Sequence, residues 1–179
     1  MDFLIVGGVA FLTSILTFFS GFGVGTILTP AFVLFFPIDI AVAMTAIVHF
    51  LNNLFKMGLT FKDINKNVLI KFGITAIPLA FLGAWLLMNF SNNNRILYEF
   101  IIADKIFTIK LVELIIGTMM LIFAIFELLP TPNKKVLKNN MLYIGGAVSG
   151  FFGGLSGHQG ALRTIFLLRS GLTKESFIA

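Results

Sequence analysis

The 179-residue chain has no cysteine and only two histidines, His49 and His158. The first absence excludes a disulfide framework, a thiolate nucleophile and any cysteine-ligated metal. Two isolated histidines make a poor metal site, and no cofactor is expected. Charge is also scarce: Asp, Glu, Lys and Arg make up 12% of the residues, where a soluble domain carries about 25%. So few charges cannot cover a water-facing surface. A Gly-x-x-x-x-Gly-Lys-Ser/Thr loop is missing, which excludes ATP-driven transport within this chain. The opening Met1-Asp2-Phe3 has neither the basic region of a signal peptide nor a clear small-residue cleavage site after it. The first apolar run is therefore expected to be retained.

Apolar residues are what the chain has in excess. Hydrophobic side chains reach 58%, with a mean hydropathy of +0.99. This composition is that of an integral membrane protein, with the lipid bilayer as its first partner. The net charge of +5 then reports orientation rather than a nucleic-acid footprint.

A spanning helix needs about 20 apolar residues. Phe3 to Phe19 is long enough for a first span. A flexible stretch comes next, Ser20-Gly21-Phe22-Gly23-Val24-Gly25-Thr26, and then Pro30. Ile27 to Phe36 is apolar but too short to cross alone. Pro37 and Asp39 mark a turn and a helix start, with Asp39 expected to cap the next helix. Ile40 to Leu59 forms a third segment, and 61–67 a short basic loop. Val68 to Phe90 is a long span containing Pro78, with Gly73 and Gly83 suited to close helix contact or a kink. Residues 95–110 mix apolar side chains with Arg95, Glu99, Asp104 and Lys105, too many charges to span, and read as an interfacial helix or a hairpin. Leu111 to Leu129 is a clean span and 130–140 a basic loop. Met141 to Leu155 leads to a second break, Ser156-Gly157-His158-Gln159-Gly160-Ala161-Leu162-Arg163. Leu162 to Leu168 is a second short apolar piece.

The basic residues sort by side. Lys56, Lys62, Lys66 and Lys71, then Lys134, Lys135 and Lys138, then Arg169 and Lys174, all fall on one side if the intervening segments span. That side is expected to be cytoplasmic, with the N-terminus outside.

Sliding the chain by about 136 residues aligns Ser20-Gly21 with Ser156-Gly157, Asp39 with Glu175 and Ala43 with Ala179. The order of features repeats: long apolar run, glycine break, short apolar run, acidic residue. An odd number of crossings separates the copies, so their orientations are opposed, as in many secondary transporters. The expected fold is an all-α, polytopic transmembrane helix bundle of two inverted repeats with broken and short helices. Residues 1–90 form the first repeat. Residues 91–140 hold an interfacial segment, one span and a basic loop, and 141–179 begin a second, incomplete repeat. A homo-oligomer or a missing C-terminal half is expected to complete it.

Gly21-Phe22-Gly23-Val24-Gly25, Pro30 and Pro37-Ile38-Asp39-Ile40-Ala41-Val42-Ala43-Met44-Thr45 resemble the glycine break and following segment of the TauE/SafE (sulfite exporter) permeases. Gly150 to Arg163 is similar to that family's second break, and Leu172-Thr173-Lys174-Glu175 fits the turn after it. His158-Gln159 stands where glycines are usual, and Phe166 where a proline falls. The resemblance implies a multi-pass cell-membrane permease for sulfite, sulfonates or related organic anions.

A mid-membrane anion needs positive potential without a large desolvation cost. Helix N-termini supply unpaired N–H groups, and glycines allow close approach. The candidates are therefore Ser20, Gly21, Gly23, Gly25 and Thr26 at the first break, and Ser156, Gly157, Gly160 and Ala161 at the second. The alternative is small-residue helix packing. Arg163 suits an oxyanion or snorkels to an interface. His158 and Gln159 either donate to an oxyanion or cap helix ends, and His158 is also a candidate carrier for a coupled proton; a proton or another ion is the expected coupling partner. Thr45, His49, Asn52, Asn53 and Lys56 form a polar stripe at helical spacing. It lines the solute path or bonds helices together, and Lys56 alternatively just ends the span. Two other functions compete with transport. One is a non-transporting assembly subunit. The other is an intramembrane serine protease, suggested by Gly154-Leu155-Ser156-Gly157 but lacking a histidine after His158.

Overall fold

The computed structural model describes residues 2–18, 24–92, 95–102, 104–128 and 140–178. Eight α-helices account for most of them: α1 (Asp2–Phe18), α2 (Val24–Val33), α3 (Ile38–Thr60), α4 (Lys66–Asn92), α5 (Leu111–Leu128), α6 (Met141–Ser156), α7 (Gly160–Leu167) and α8 (Lys174–Ile178). Among the described residues, a long helix, a short helix and a turn follow one another in α1 to α3 and again in α6 to α8.

The helix bundle is the expected one, with a single addition. Residues 95–110 take the hairpin alternative: β1 (Ile96–Ile102) pairs antiparallel with β2 (Lys105–Lys110). Phe100 faces Phe107 across the strands, and their rings stack at 5.5 Å.

Helices α3 and α4 are long and apolar enough to cross a membrane; α1, α5 and α6 are shorter apolar helices. The direction in which α4 turns its side chains decides between a soluble core and a lipid setting. Ile70, Ile74, Ile77, Phe81, Trp85 and Met88 recur at helical spacing and are all exposed. Only 11% of its apolar window is buried. A soluble protein hides such a stripe; this one displays it, as lipid solvation requires.

The opposite face of α4 meets α6 backbone to backbone. A Cβ added at Gly146, Gly150 or Gly154 would land on the carbonyl oxygen of Phe72, Ala76 or Ala80, respectively. Each step is one turn on both helices, so they run parallel and their first residues lie at the same end of the bundle. Gly83 closes the seam against Phe151 and Leu155, while Gly73 has nothing within 4 Å. Close backbone approach through small residues is how helices associate where lipid removes the hydrophobic drive. Pro78 sits within α4 without ending it.

The short α2 packs between α1 and α3. Leu28 and Phe32, one turn apart, bury fully against Val6 and Ala41. A second cluster, Ile38, Val42, Leu87, Val112 and Ile116, joins α3, α4 and α5.

Local capping differs from expectation at one point. Pro37, not Asp39, occupies the N-cap of α3, and no side-chain cap bond forms. Asp39 lies inside the first turn, where a negative charge still favours the helix dipole, but its Oδ1 is buried with no hydrogen-bond partner among the described residues. The start of α4 is capped by Asn65, whose Oδ1 accepts from the Val68 N–H at 3.2 Å.

Candidate functional site

The second break is built by one residue. Gly157 has φ +72, the left-handed conformation that ends a helix, and its N–H bonds the Gly153 carbonyl at 2.9 Å. Glycine takes that conformation without a Cβ penalty. The chain then turns through His158 and Gln159, and α7 starts at Gly160 with no side-chain cap on its first N–H groups. Phe166, where the resembled family has a proline, fits its ring into the notch left by Gly145, with Cγ 2.5 Å from the position of an added Cβ.

The start of α2 meets the second break. A Cβ on Gly25 would strike the Gly157 carbonyl oxygen and come within 3.3 Å of the His158 Cα. Thr26 Oγ1 and His158 Nδ1 share a hydrogen bond of 3.2 Å. Thr29 Oγ1 donates to Thr45 Oγ1 at 3.2 Å, and Thr45 donates in turn to the Ala41 carbonyl at 2.9 Å. His158 is almost wholly buried and stacks on Phe123 at a ring separation of 5.5 Å. Of the first-break candidates, Gly25 and Thr26 belong to this junction; Ser20, Gly21 and Gly23 lie outside the described residues.

On the second break, Ser156 is buried and donates back to the Phe152 carbonyl at 2.8 Å. Its oxygen also faces the His158 backbone N–H at 3.4 Å. The imidazole turns to Thr26 instead, so these two residues form no nucleophile–base dyad of the kind the protease alternative requires. The Gln159 carbonyl accepts from Ser149 Oγ at 3.4 Å and from the Arg163 N–H at 2.9 Å. Gly160 and Ala161 are buried at the head of α7.

The polar stripe on α3 faces inward over most of its length. Thr45, His49, Asn52 and Lys56 are buried, whereas Asn53 is exposed at its margin. Lys56 is only 5% exposed, so it does not simply end the span in the headgroups. His49 lies within Coulombic reach of Arg163, Lys56 and His158. Asn52 also borders an apolar crevice between α1 and α3, beside Ser14 and Phe55.

A cavity of about 320 Å³ opens where α3, α4, α7 and α8 converge. Lys56, Arg163, Gln159, Asn53, Asn65 and Ser176 supply its polar wall; Phe72, Leu167 and Phe177 are among its apolar lining. Asn65 and Val68 also line it, placing it at the end of the bundle where α4 begins. Ser176 Oγ ties α8 to the Asp63 carbonyl at 2.7 Å beside the cavity.

Sequence reasoning missed Thr29, Ser149 and Phe123. Ser149 lies two turns before Ser156, a spacing that was readable. Thr29 and Phe123 sit in apolar runs and carried no signal of their own.

A bundle that presents apolar faces outward and folds its polar groups around two helix breaks has the architecture of a membrane transporter. The chain belongs to the sulfite exporter TauE/SafE family, whose sequence model matches residues 6–179. Membership makes it a membrane transporter of the sulfite-exporter type. No curated protein and no solved structure matches it.

Proposed function

We propose that the protein is a secondary transporter that carries a small sulfur-containing or organic anion, such as sulfite or a sulfonate, across the cytoplasmic membrane. The cavity that ends at the second break carries this reading. Arg163 and Lys56 line it together with Gln159, the residue before the uncapped start of α7. Guanidinium suits oxyanion geometry, and helix N-terminal N–H groups add positive potential. In this reading the Lys-rich connections are cytoplasmic and the N-terminus outside, so the cavity faces the cytoplasm. The shared end of α4 and α6 supports that grouping of the basic loops. Two repeats of opposed orientation give alternating access, and His158 is the candidate carrier of a coupled proton or ion.

The test is flux into proteoliposomes of sulfite, sulfoacetate and a simple carboxylate. Saturable flux of a sulfur oxyanion, abolished by Arg163→Ala, is the expected result. Folded protein that moves no anion would overturn transport by this chain and leave the assembly-subunit reading.

A further inference from the structure

Lys56 occupies a place that transport of a monoanion does not require. It lies in the last turns of α3, close enough to the helix end for its long stem to reach the headgroups. It is buried instead, and it lines the same cavity as Arg163. Folding an ammonium inward sacrifices both hydration and rotamer freedom. An intramembrane cation held this way is a functional-site candidate by default. Arg163 alone offers the planar fork that an oxyanion needs, so the second cation serves a further purpose.

The two cations reach the cavity from different elements, Lys56 from α3 and Arg163 from α7. Among the described residues, no Asp or Glu lines the cavity. Its neutral polar lining is Asn53, Asn65, Gln159 and Ser176. At about 320 Å³ the space falls at the lower end of ligand pockets. It admits a solute of a few heavy atoms with an anionic group at each end.

We propose that Lys56 and Arg163 make this cavity a selective site for small dianions, Arg163 holding one anionic group and Lys56 the other. This rests on the anion-transport reading and deepens it from anions in general to doubly charged ones. A second anionic charge costs additional desolvation, but opposite a fixed cation in a partly water-excluded cavity the attraction is several times that in water. An isosteric monoanion replaces that charge by a neutral amide and loses the attraction.

The experiment is calorimetric titration of detergent-solubilised, full-length protein at neutral pH with two isosteric pairs. These are sulfoacetate against sulfoacetamide, and succinate against succinamate. In the unmodified chain each dianion should bind about tenfold tighter than its amide, equivalent to about 1.4 kcal/mol. Lys56→Gln should bring each ratio close to one by weakening the dianion about tenfold more than its amide. Lys56→Arg should restore the preference, a rescue that a purely structural role does not predict. Equal binding of dianion and amide by the unmodified chain overturns the proposal and leaves anion transport standing. The same holds if Lys56→Gln weakens both members of a pair alike. Binding of neither member overturns the proposal together with the assignment of this cavity as the transport site.

Discussion

Glycine brings backbones together at two places in this molecule, and the two places differ in what surrounds them. Along the α4–α6 seam, Gly146, Gly150 and Gly154 receive successive carbonyls of α4. The surroundings are apolar, and the principal polar group is Thr75, which donates to the Tyr143 carbonyl at 2.7 Å. At the junction of the breaks, Gly25 meets Gly157 among Thr26, Thr29, Thr45 and His158, all engaged side chain to side chain. The same residue type makes an apolar structural joint in one place and a polar, hydrogen-bonded junction in the other. The neighbours, not the glycines, set the role.

Breaking the seam should have the largest effect. Gly150→Leu forces a branched side chain into the Ala76 backbone, where even a Cβ would sit 2.7 Å from Cα. A loss on the order of 4 kcal/mol or more is expected, read as failure to recover monodisperse protein in detergent. Gly25→Ala acts at the junction instead. Its one methyl meets the Gly157 carbonyl, an overpacking cost of about 1–3 kcal/mol. The protein should still be recovered folded, with a lowered melting temperature and no anion flux; full flux would show that the junction need not close. The smallest effect is expected at Gly117 in α5, where nothing lies within 4 Å of an added Cβ. Gly117→Ala should change stability by less than about 1 kcal/mol and leave flux intact. Together the three variants separate contact at the seam, contact at the junction and glycine content as such.

The legible part of the fold was the part written in hydropathy. Runs of apolar residues delimited α1, α3, α4, α5 and α6 to within a few residues, because lipid leaves a helix no other way to satisfy its backbone. The second break was legible because Gly157 and its neighbours suit a helix and a turn unequally. The hairpin was left open between two forms, since alternation and charge at 95–110 fit either. The seam was only half visible. Gly83 joins it and Gly73 does not, and a small residue does not name its partner. The inward turn of Lys56 was invisible for the same reason. A lysine near a helix end has two destinations, and only the neighbouring helices exclude one.

The α4–α6 seam also limits how the molecule can swing. Two backbones in contact have no side chains to repack, so sliding one along the other by less than a turn drives carbonyls into the residues between the glycines. The pair must travel as a single strut. Yet α4 falls in the first of the two repeats expected from the sequence and α6 in the second. Any rocking that opens the junction must therefore divide the bundle elsewhere, with α4 and α6 on the same side of the fulcrum. The halves of the sequence are not the halves of the motion.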